Sequence, residues 1–555
     1  MEESRVYVLH FAQSHTDFRL PEFEASATYL GIPFEYVPTP SRFGPYDGVD
    51  VRRPFILCRL PSDDAARELL RRCSCLRAVW ELWVCADTYE ELHARNRELK
   101  PWLPYSSPDI SWKALMQGFN AAIPDARRIA LIEAFGYMDL AGPTRLKKSD
   151  LTWGVIEEYA RALDAGSEPH PQGDQDPRLV QLFFGRKIKD RSGCMPARDL
   201  IDELSLKKRQ YIGNTSMESE MSVVMANMAL AGPSKFVYDP FAGTGSMLYA
   251  CSMLGAFSFG SDIDGRMLRG RQDKDGARGV ALSARQYGLT GRILDTGVFD
   301  MTNAPWRLPF RNGGGGGLFD AIVTDPPYGV RAGAKRLGRR NVEHQRDEPY
   351  LMADGTPSHV LPDYLPPTKP YHLSELLTDL LEYSSALLKP GGRLVFWLPT
   401  MSEDEVATTI PEHAHFALVA HSLQDFGKWG RRLITMQKRD DAGPTAFRAP
   451  PDAAKGRVRA SDDPAEFRNR DVDTQQPTYF ERERERLLAE ITSSLETVIG
   501  NTNAANRKME EHISVGKGFE SIAELWGKFS TLMTQAGVPN PETRRAEEEQ
   551  DTSTM

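Results

Sequence analysis

Asp239-Pro-Phe-Ala-Gly-Thr-Gly-Ser246 and Thr324-Asp-Pro-Pro-Tyr-Gly329 decide how this chain folds. The first stretch follows the apolar run Phe236-Val-Tyr238 and opens a helix over Met247 to Gly255. Gly243 and Gly245 allow turn conformations that a Cβ opposes, and they let the backbone come close to a ligand. Helix N-terminal amides beside them favour polar or anionic groups. A dinucleotide fingerprint needs a third glycine where this chain has Leu248. The second stretch follows the apolar strand Phe319 to Thr324. Pro326 and Pro327 cannot continue a ladder and so fix the turn. The carbonyls of Asp325 and Pro326 then point into the pocket beside the Asp325 carboxylate. Such acceptors suit an exocyclic amine, and Tyr328 offers a flat face for a base.

Working outward, strands at Phe236–Tyr238, Ala256–Gly260, Phe319–Thr324 and Gly392–Leu398 alternate with helices from Lys235 to about Lys438. That alternation is what a doubly wound parallel α/β sheet requires. Asp262 falls at a strand's carboxyl end, where an acidic group accepts both hydroxyls of a ribose. Asp300 sits near the next strand end and suits an adenine amino group, with Asp295 competing for that role. Asp239, Phe241, Gly243, Gly245, Asp262 and Asp300 are the expected cofactor-binding residues. Asp325, Pro326, Pro327 and Tyr328 are the expected acceptor-holding residues.

Ahead of this sheet lies an α+β region, residues 1–185. Strands are expected at Arg5–Phe11, Arg53–Leu60 and Arg178–Phe184, helices at Pro21–Leu30 and Asp63–Arg72, and a third strand–helix pairing at Arg128–Phe135. Residues 165–177 are rich in chain breakers and read as an exposed loop. Connecting helices at Asp199–Leu206 and Ser219–Leu230 fill residues 186–234. The domain with the sheet spans 235–438 and carries Gly313-Gly-Gly-Gly-Gly317, which reads as a flexible insertion. Residues 439–477, poor in large apolar side chains, read as a disordered linker.

The chain's 555 residues suggest three or four domains. Its 41% hydrophobic and 26% charged residues are ordinary for a globular protein. Mean hydropathy is −0.44, and no apolar run approaches the ~20 residues that span a bilayer. The start, Met1-Glu-Glu-Ser-Arg-Val, is acidic where a secretory leader is basic, so neither secretion nor membrane insertion is expected. Six cysteines fit a reducing compartment. Cys73-x-Cys75 has no second ligand pair at zinc spacing, so these read as buried thiols of an amphipathic helix and no metal is expected. The net charge of −9 argues against coating nucleic acid along the whole length but leaves room for local basic patches. Arg331, Lys335, Arg336, Arg339 and Arg340 lie just past the Asp325 loop, where phosphates of a bound stem would run. Lys207-Lys-Arg209, Arg145-Leu-Lys-Lys148 and Gly430-Arg-Arg432 are further basic clusters.

The Asp239 and Asp325 loops together resemble a class I S-adenosylmethionine-dependent methyltransferase acting on exocyclic amino nitrogens. His10-Phe-Ala-Gln-Ser-His-Thr-Asp-Phe-Arg-Leu-Pro21, Tyr211-Ile-Gly-Asn-Thr-Ser-Met217 and Gly260-Ser-Asp-Ile-Asp-Gly-Arg266 are similar to the eukaryotic tRNA (guanine-10, N2) methyltransferases. That resemblance covers about residues 1–438. It implies a THUMP-type RNA-binding domain in the N-terminal region, S-adenosylmethionine as cofactor, tRNA as substrate, and a small zinc-binding activator subunit as partner. The same loop serves several planar amines, so DNA or protein glutamine is the alternative acceptor.

From Phe480 the pattern becomes a long helix. Leu488, Ile491, Leu495, Val498 and Met509 keep coiled-coil spacing, and Trp526 lies on a second short amphipathic segment. Residues 478–538 resemble the Dad one subunit of the DASH complex, the fungal assembly joining kinetochores to spindle microtubules. This implies DASH subunits and microtubules as partners and an assembly function. An acidic tail, 539–555, follows. The two halves have no evident common task, so a true fusion and a pair of adjacent genes read as one both stand. The enzyme is expected in the cytoplasm, and the helical module at the nucleus, spindle and kinetochore.

Overall fold

The computed structural model describes residues 5–38, 53–160, 176, 178–189, 195–270, 278–306, 316–327, 334–338, 350–361, 366–401, 410–427 and 429–440. The linker, the seam from Leu488 to Met509, Trp526 and the acidic tail lie outside these residues. So do Tyr328, Arg331, Arg339, Arg340, Cys194 and most of the glycine run. Two units divide the chain, Met1–Asp462 and Asp463–Met555, and all described residues fall in the first.

The N-terminal region builds one seven-stranded sheet from β1 (Arg5–Phe11), β2 (Glu35–Val37), β3 (Phe55–Leu60), β4 (Leu76–Ala86), β5 (Trp112–Phe119), β6 (Leu151–Tyr159) and β7 (Leu179–Lys187). Its order is β2-β3-β1-β4-β7-β6-β5, and β5–β6 is its one parallel pair. Alternation along β1 sorts its side chains between two clusters. Tyr7, Leu9 and Phe11 join a core shared with α1 (Arg19–Leu30) and α2 (Asp63–Arg72), while Val8 packs with Leu57, Trp80 and Phe183. Ser62 caps α2, accepting from Ala65 N at 3.2 Å.

Two expectations change here. Arg128–Phe135 falls within a helix and its end, α4 (Asp125–Ala134), because its apolar residues recur at helical spacing; the strand of that unit is β5. Cys73 and Cys75 are buried, yet they lie in the turn between α2 and β4 and not inside the helix. A buried carboxylate organises that turn. Glu22 accepts from Ser74 N at 2.9 Å, Cys75 N at 2.7 Å and Asn227 Nδ2 at 2.7 Å. Asn227 belongs to α6 (Ser219–Met228), so this cluster clamps the N-terminal region to the helix that leads into the second sheet. Among the described residues no Cys, His, Asp and Glu group could hold a metal ion, and no helix is long and apolar enough to cross a membrane.

The second sheet also has seven strands: β8 (Phe236–Asp239), β9 (Phe257–Asp262), β10 (Ile293–Val298), β11 (Phe319–Thr324), β14 (Leu388–Met401), β15 (Phe416–Asp425) and β16 (Trp429–Lys438). Between β11 and β14 lies a small hairpin, β12 (Lys335–Leu337) with β13 (Thr368–Pro370). The order is β10-β9-β8-β11-β14-β16-β15. The first five strands run parallel, as alternation with helices demands; β16 is antiparallel to β14 and to β15. This closing hairpin is an addition to the expected parallel sheet. It turns at Phe426–Gly427, where Gly427 has φ +94°, a conformation a Cβ resists. Helices α7 (Ser246–Met253), α9 (Gly279–Gln286) and α10 (Leu373–Leu387) flank the sheet. Strand order reverses between β8 and β11, and open α/β sheets bind ligands in the crevice beyond the carboxyl ends at that switch point.

Candidate active site

Four carboxylates collect along this carboxyl edge. Asp239 closes β8 and is almost fully buried. Its Oδ1 accepts from Phe241 N at 3.0 Å and from Thr324 Oγ1 at 2.6 Å, tying the β8 end to the β11 end. Burial pushes the Asp239 carboxyl up to about 7, and the nearby Asp262 and Asp325 charges add to the rise. Gly243 (φ +49°) and Gly245 (φ +86°) then turn the chain into α7. A Cβ on Gly245 would stand 2.9 Å from the Tyr249 ring. On β9, a Cβ at Gly260 would meet Leu248 at 2.7 Å and Ala242 at 2.8 Å, so this glycine lets the Asp239 loop lie against the sheet.

Asp262 ends β9 and reaches back to that loop. Its Oδ2 accepts from Gly243 N at 2.9 Å and its Oδ1 from Asp264 N at 2.8 Å. Each oxygen keeps a lone pair for a further donor. Burial raises its carboxyl above the usual range. Asp300, just past β10, is buried. It caps the turn Met301–Asn303 through Thr302 N (2.8 Å) and accepts Leu337 N from β12 (2.5 Å). Asp295 sits within β10 with its side chain exposed, so of the two it is Asp300 that occupies the strand's end. Phe241 is half-buried beside Asp239.

Asp325 follows β11 directly, with Pro326 buried and Pro327 half-buried behind it. Its Oδ2 lies 3.7 Å from Arg431 Nη1. Arg431 belongs to a stretch whose sequence reads as a basic surface cluster; in the structure it is 9% exposed and faces inward. Arg209 behaves alike: it is buried, and its Nη1 donates to Ser246 Oγ at 2.8 Å. For both, only the tertiary neighbours reveal that the charge is internal.

Comparison with known proteins bears on this edge. A family model described as RMKL-like, methyltransferase domain, matches residues 207–341, and one described as Tmrp11 THUMP N-terminal domain matches 5–192. A tRNA (guanine(10)-N(2))-methyltransferase of Schizosaccharomyces pombe is 33% identical over 461 residues, 78% of this chain and 89% of its own length. Its counterpart in Saccharomyces cerevisiae is 34% identical over 432 residues, covering 77% and 92%. The chain belongs to the tRNA (guanine(10)-N(2))-methyltransferase family. The human member of that family is 33% identical over 443 residues, covering 78% of this chain and 88% of its own. The family's two regions correspond to the two sheets. Separately, residues 479–533 match the model for DASH complex subunit Dad1.

The fold places the basic clusters unequally. Lys335 is exposed on β12, whereas Arg336 pairs with Glu375 at 3.2 Å and lies over the Tyr371 ring at 5.2 Å. Arg145, Lys147 and Lys148 are all exposed, as are Lys207 and Lys208.

Asp239 yields a pH prediction. The folded state holds its proton up to about pH 7, whereas an ordinary aspartate releases it near 3.8. The folded state therefore binds more protons between those values, and this group's contribution to stability falls as pH rises from about 4 to about 7. Asp239→Asn removes the titration. Thermal midpoints measured from pH 5 to 8 should show the wild type losing ground to the variant as pH rises; parallel curves would contradict the assignment.

Proposed function

We propose that this chain transfers a methyl group from S-adenosylmethionine to the N2 amine of guanine 10 in tRNA. The observation carrying this reading is the juxtaposition of Asp239, Asp262 and Asp325 at one switch point, in a chain of this family. The residues present fit the cofactor. Gly243 and Gly245 turn the loop at positive φ, Gly245 and Gly260 pack too closely against Tyr249 and Leu248 to carry a Cβ, and Asp262 keeps acceptor capacity for two ribose hydroxyls. Bound there, S-adenosylmethionine supplies an electrophilic methyl on a sulfonium whose departure needs little acid–base help. The protein's task is then positioning and electrostatics.

The acceptor guanine must leave its stack to enter the crevice. The Asp325 carboxylate and the Pro326 carbonyl accept hydrogen bonds from N2, turning its lone pair toward the methyl, and Tyr328 receives the flipped base. In this reading Asp325 also takes the proton that N2 loses. Supplying the protein, co-purified with its activator, with labelled cofactor and unmodified tRNA tests this reading. The expected product is N2-methylguanosine at position 10; label in DNA or glutamine peptides and not in tRNA would overturn it.

A small zinc-binding activator is part of the proposal. Among the described residues β10 pairs on one side only, with β9, and presents Leu294 (55% exposed) and Val298 (51%). An unpaired strand with exposed apolar residues invites a strand from a partner. Leu294→Arg with Val298→Lys should abolish co-purification of the activator from co-expressing cells; unchanged recovery would contradict it.

The match at 479–533 supports a second, separate reading. Residues 478–538 would serve as an assembly module binding DASH subunits at spindle microtubules and kinetochores, while the enzyme works in the cytoplasm. An antibody against residues 500–535 distinguishes the arrangements. A band near 62.2 kDa means one polypeptide carries both, and a band of a free small subunit means two products.

A further inference from the structure

Arg431 is a buried cation with partners on every side. It lies on β16, paired in register with Pro399 of β14 and Gln424 of β15. Its guanidinium stacks over the Trp397 ring at 4.0 Å, and Nε donates to Gln424 Oε1 at 2.8 Å. Nη1 stands 3.7 Å from Asp325 Oδ2, and Nη2 stands 3.4 Å from Glu218 Oε1. One planar fork thus joins the carboxylate after β11 to the carboxylate before α6, on an aromatic platform, a geometry a lysine cannot reproduce.

The same assembly receives the N-terminal region. Phe18 packs on Trp397 with ring centroids 5.9 Å apart, and Ser422 Oγ donates to the Asp17 carbonyl at 2.9 Å. Gln424 Nε2 donates to Glu218 Oε1 at 2.9 Å, and His15 Nε2 lies 3.5 Å from Glu220 Oε2. A chain of contacts therefore runs from Phe18 through Trp397 and Arg431 to Asp325, with Glu218 bound to the same guanidinium.

We infer that Arg431 is the positioning residue of the acceptor site, fixing the Asp325 carboxylate and registering it to the N-terminal RNA-binding region. This rests on the reading of Asp325 as the amine-holding group. Arg431 touches no reacting atom in this account. It acts by holding the carboxylate where the flipped base arrives, so its loss slows turnover and does not weaken capture of the RNA.

The test is steady-state kinetics of the full chain with its activator, on Arg431→Met, Arg431→Lys and Asp325→Ala. Arg431→Met should lower kcat by about 100-fold while KM for tRNA stays within about threefold. Arg431→Lys keeps the charge and loses the stacked fork, so it should recover about tenfold of that loss. A raised KM at unchanged kcat would make Arg431 an RNA contact and overturn the inference. A normal kcat in Arg431→Met beside an inactive Asp325→Ala would overturn it while sparing the Asp325 reading. Normal turnover in both would overturn the Asp325 reading beneath it. Should Arg431→Met fail to fold, Arg431→Lys decides alone: a kcat within twofold of wild type would refute the role.

Discussion

Asp325→Ala should abolish methyl transfer, lowering kcat by about 10³-fold, while S-adenosylmethionine still binds within a few-fold of the wild-type affinity. The reason lies in what the carboxylate contacts. Asp325 stands at the end of β11, beyond the ladder, with its side chain about one-third exposed and within ion-pair distance of Arg431. The Gly243–Gly245 turn is held by Asp262, whose Oδ2 accepts from Gly243 N at 2.9 Å. Removing Asp325 therefore leaves the cofactor cradle standing and deletes the acceptor that aims the amine. A single misplaced hydrogen bond at a reacting nitrogen costs orientation, and orientation is most of what such a site supplies. Calorimetry for the cofactor and labelled transfer for turnover separate the two effects. Lost cofactor binding, or retained turnover, would each contradict the assignment.

Asp262→Ala should do the reverse. Two charge-assisted hydrogen bonds to a ribose, at about 1.5 kcal/mol each, amount to about 100-fold in affinity. Asp262 also accepts from Gly243 N and Asp264 N, so its loss loosens the turn that shapes the cradle. Calorimetry should therefore show Kd for S-adenosylmethionine rising about 100-fold or more, with kcat at saturating cofactor falling much less. A normal Kd would remove Asp262 from the cofactor site.

The parts of this site that sequence discloses are those punctuated by glycine and proline. Asp239 and Asp325 each close an apolar strand and are followed at once by proline, which cannot extend it, while Asp262 stands between Gly260 and Gly265; local chemistry alone marks them as strand ends. The N-terminal strands β1, β3 and β7 are legible for the same reason, since short apolar runs bounded by polar turns admit little else. What sequence hides is long-range. Nothing near Arg431 says that its guanidinium is buried, because a doublet of arginines on a strand looks like any solvated face. Its partners Glu218, Trp397 and Asp325 come from three distant stretches. The β15–β16 hairpin escapes notice because β15 alternates weakly, its exposed Leu418 and Val419 blurring the two-residue period. Asp300 shows a further limit. Its place at a strand end is readable, but its bond to Leu337 N depends on a hairpin whose pairing no local pattern announces.

The measurement that bears most directly on the central claim is methyl transfer to two tRNA transcripts differing only at position 10, one with guanosine and one with inosine. Inosine keeps the ring, its carbonyl and its stacking surface and lacks only the exocyclic N2 amine. The expected result is labelled N2-methylguanosine in the first and no label above background in the second. Equal incorporation into both would mean that the Asp325 loop serves some other nitrogen.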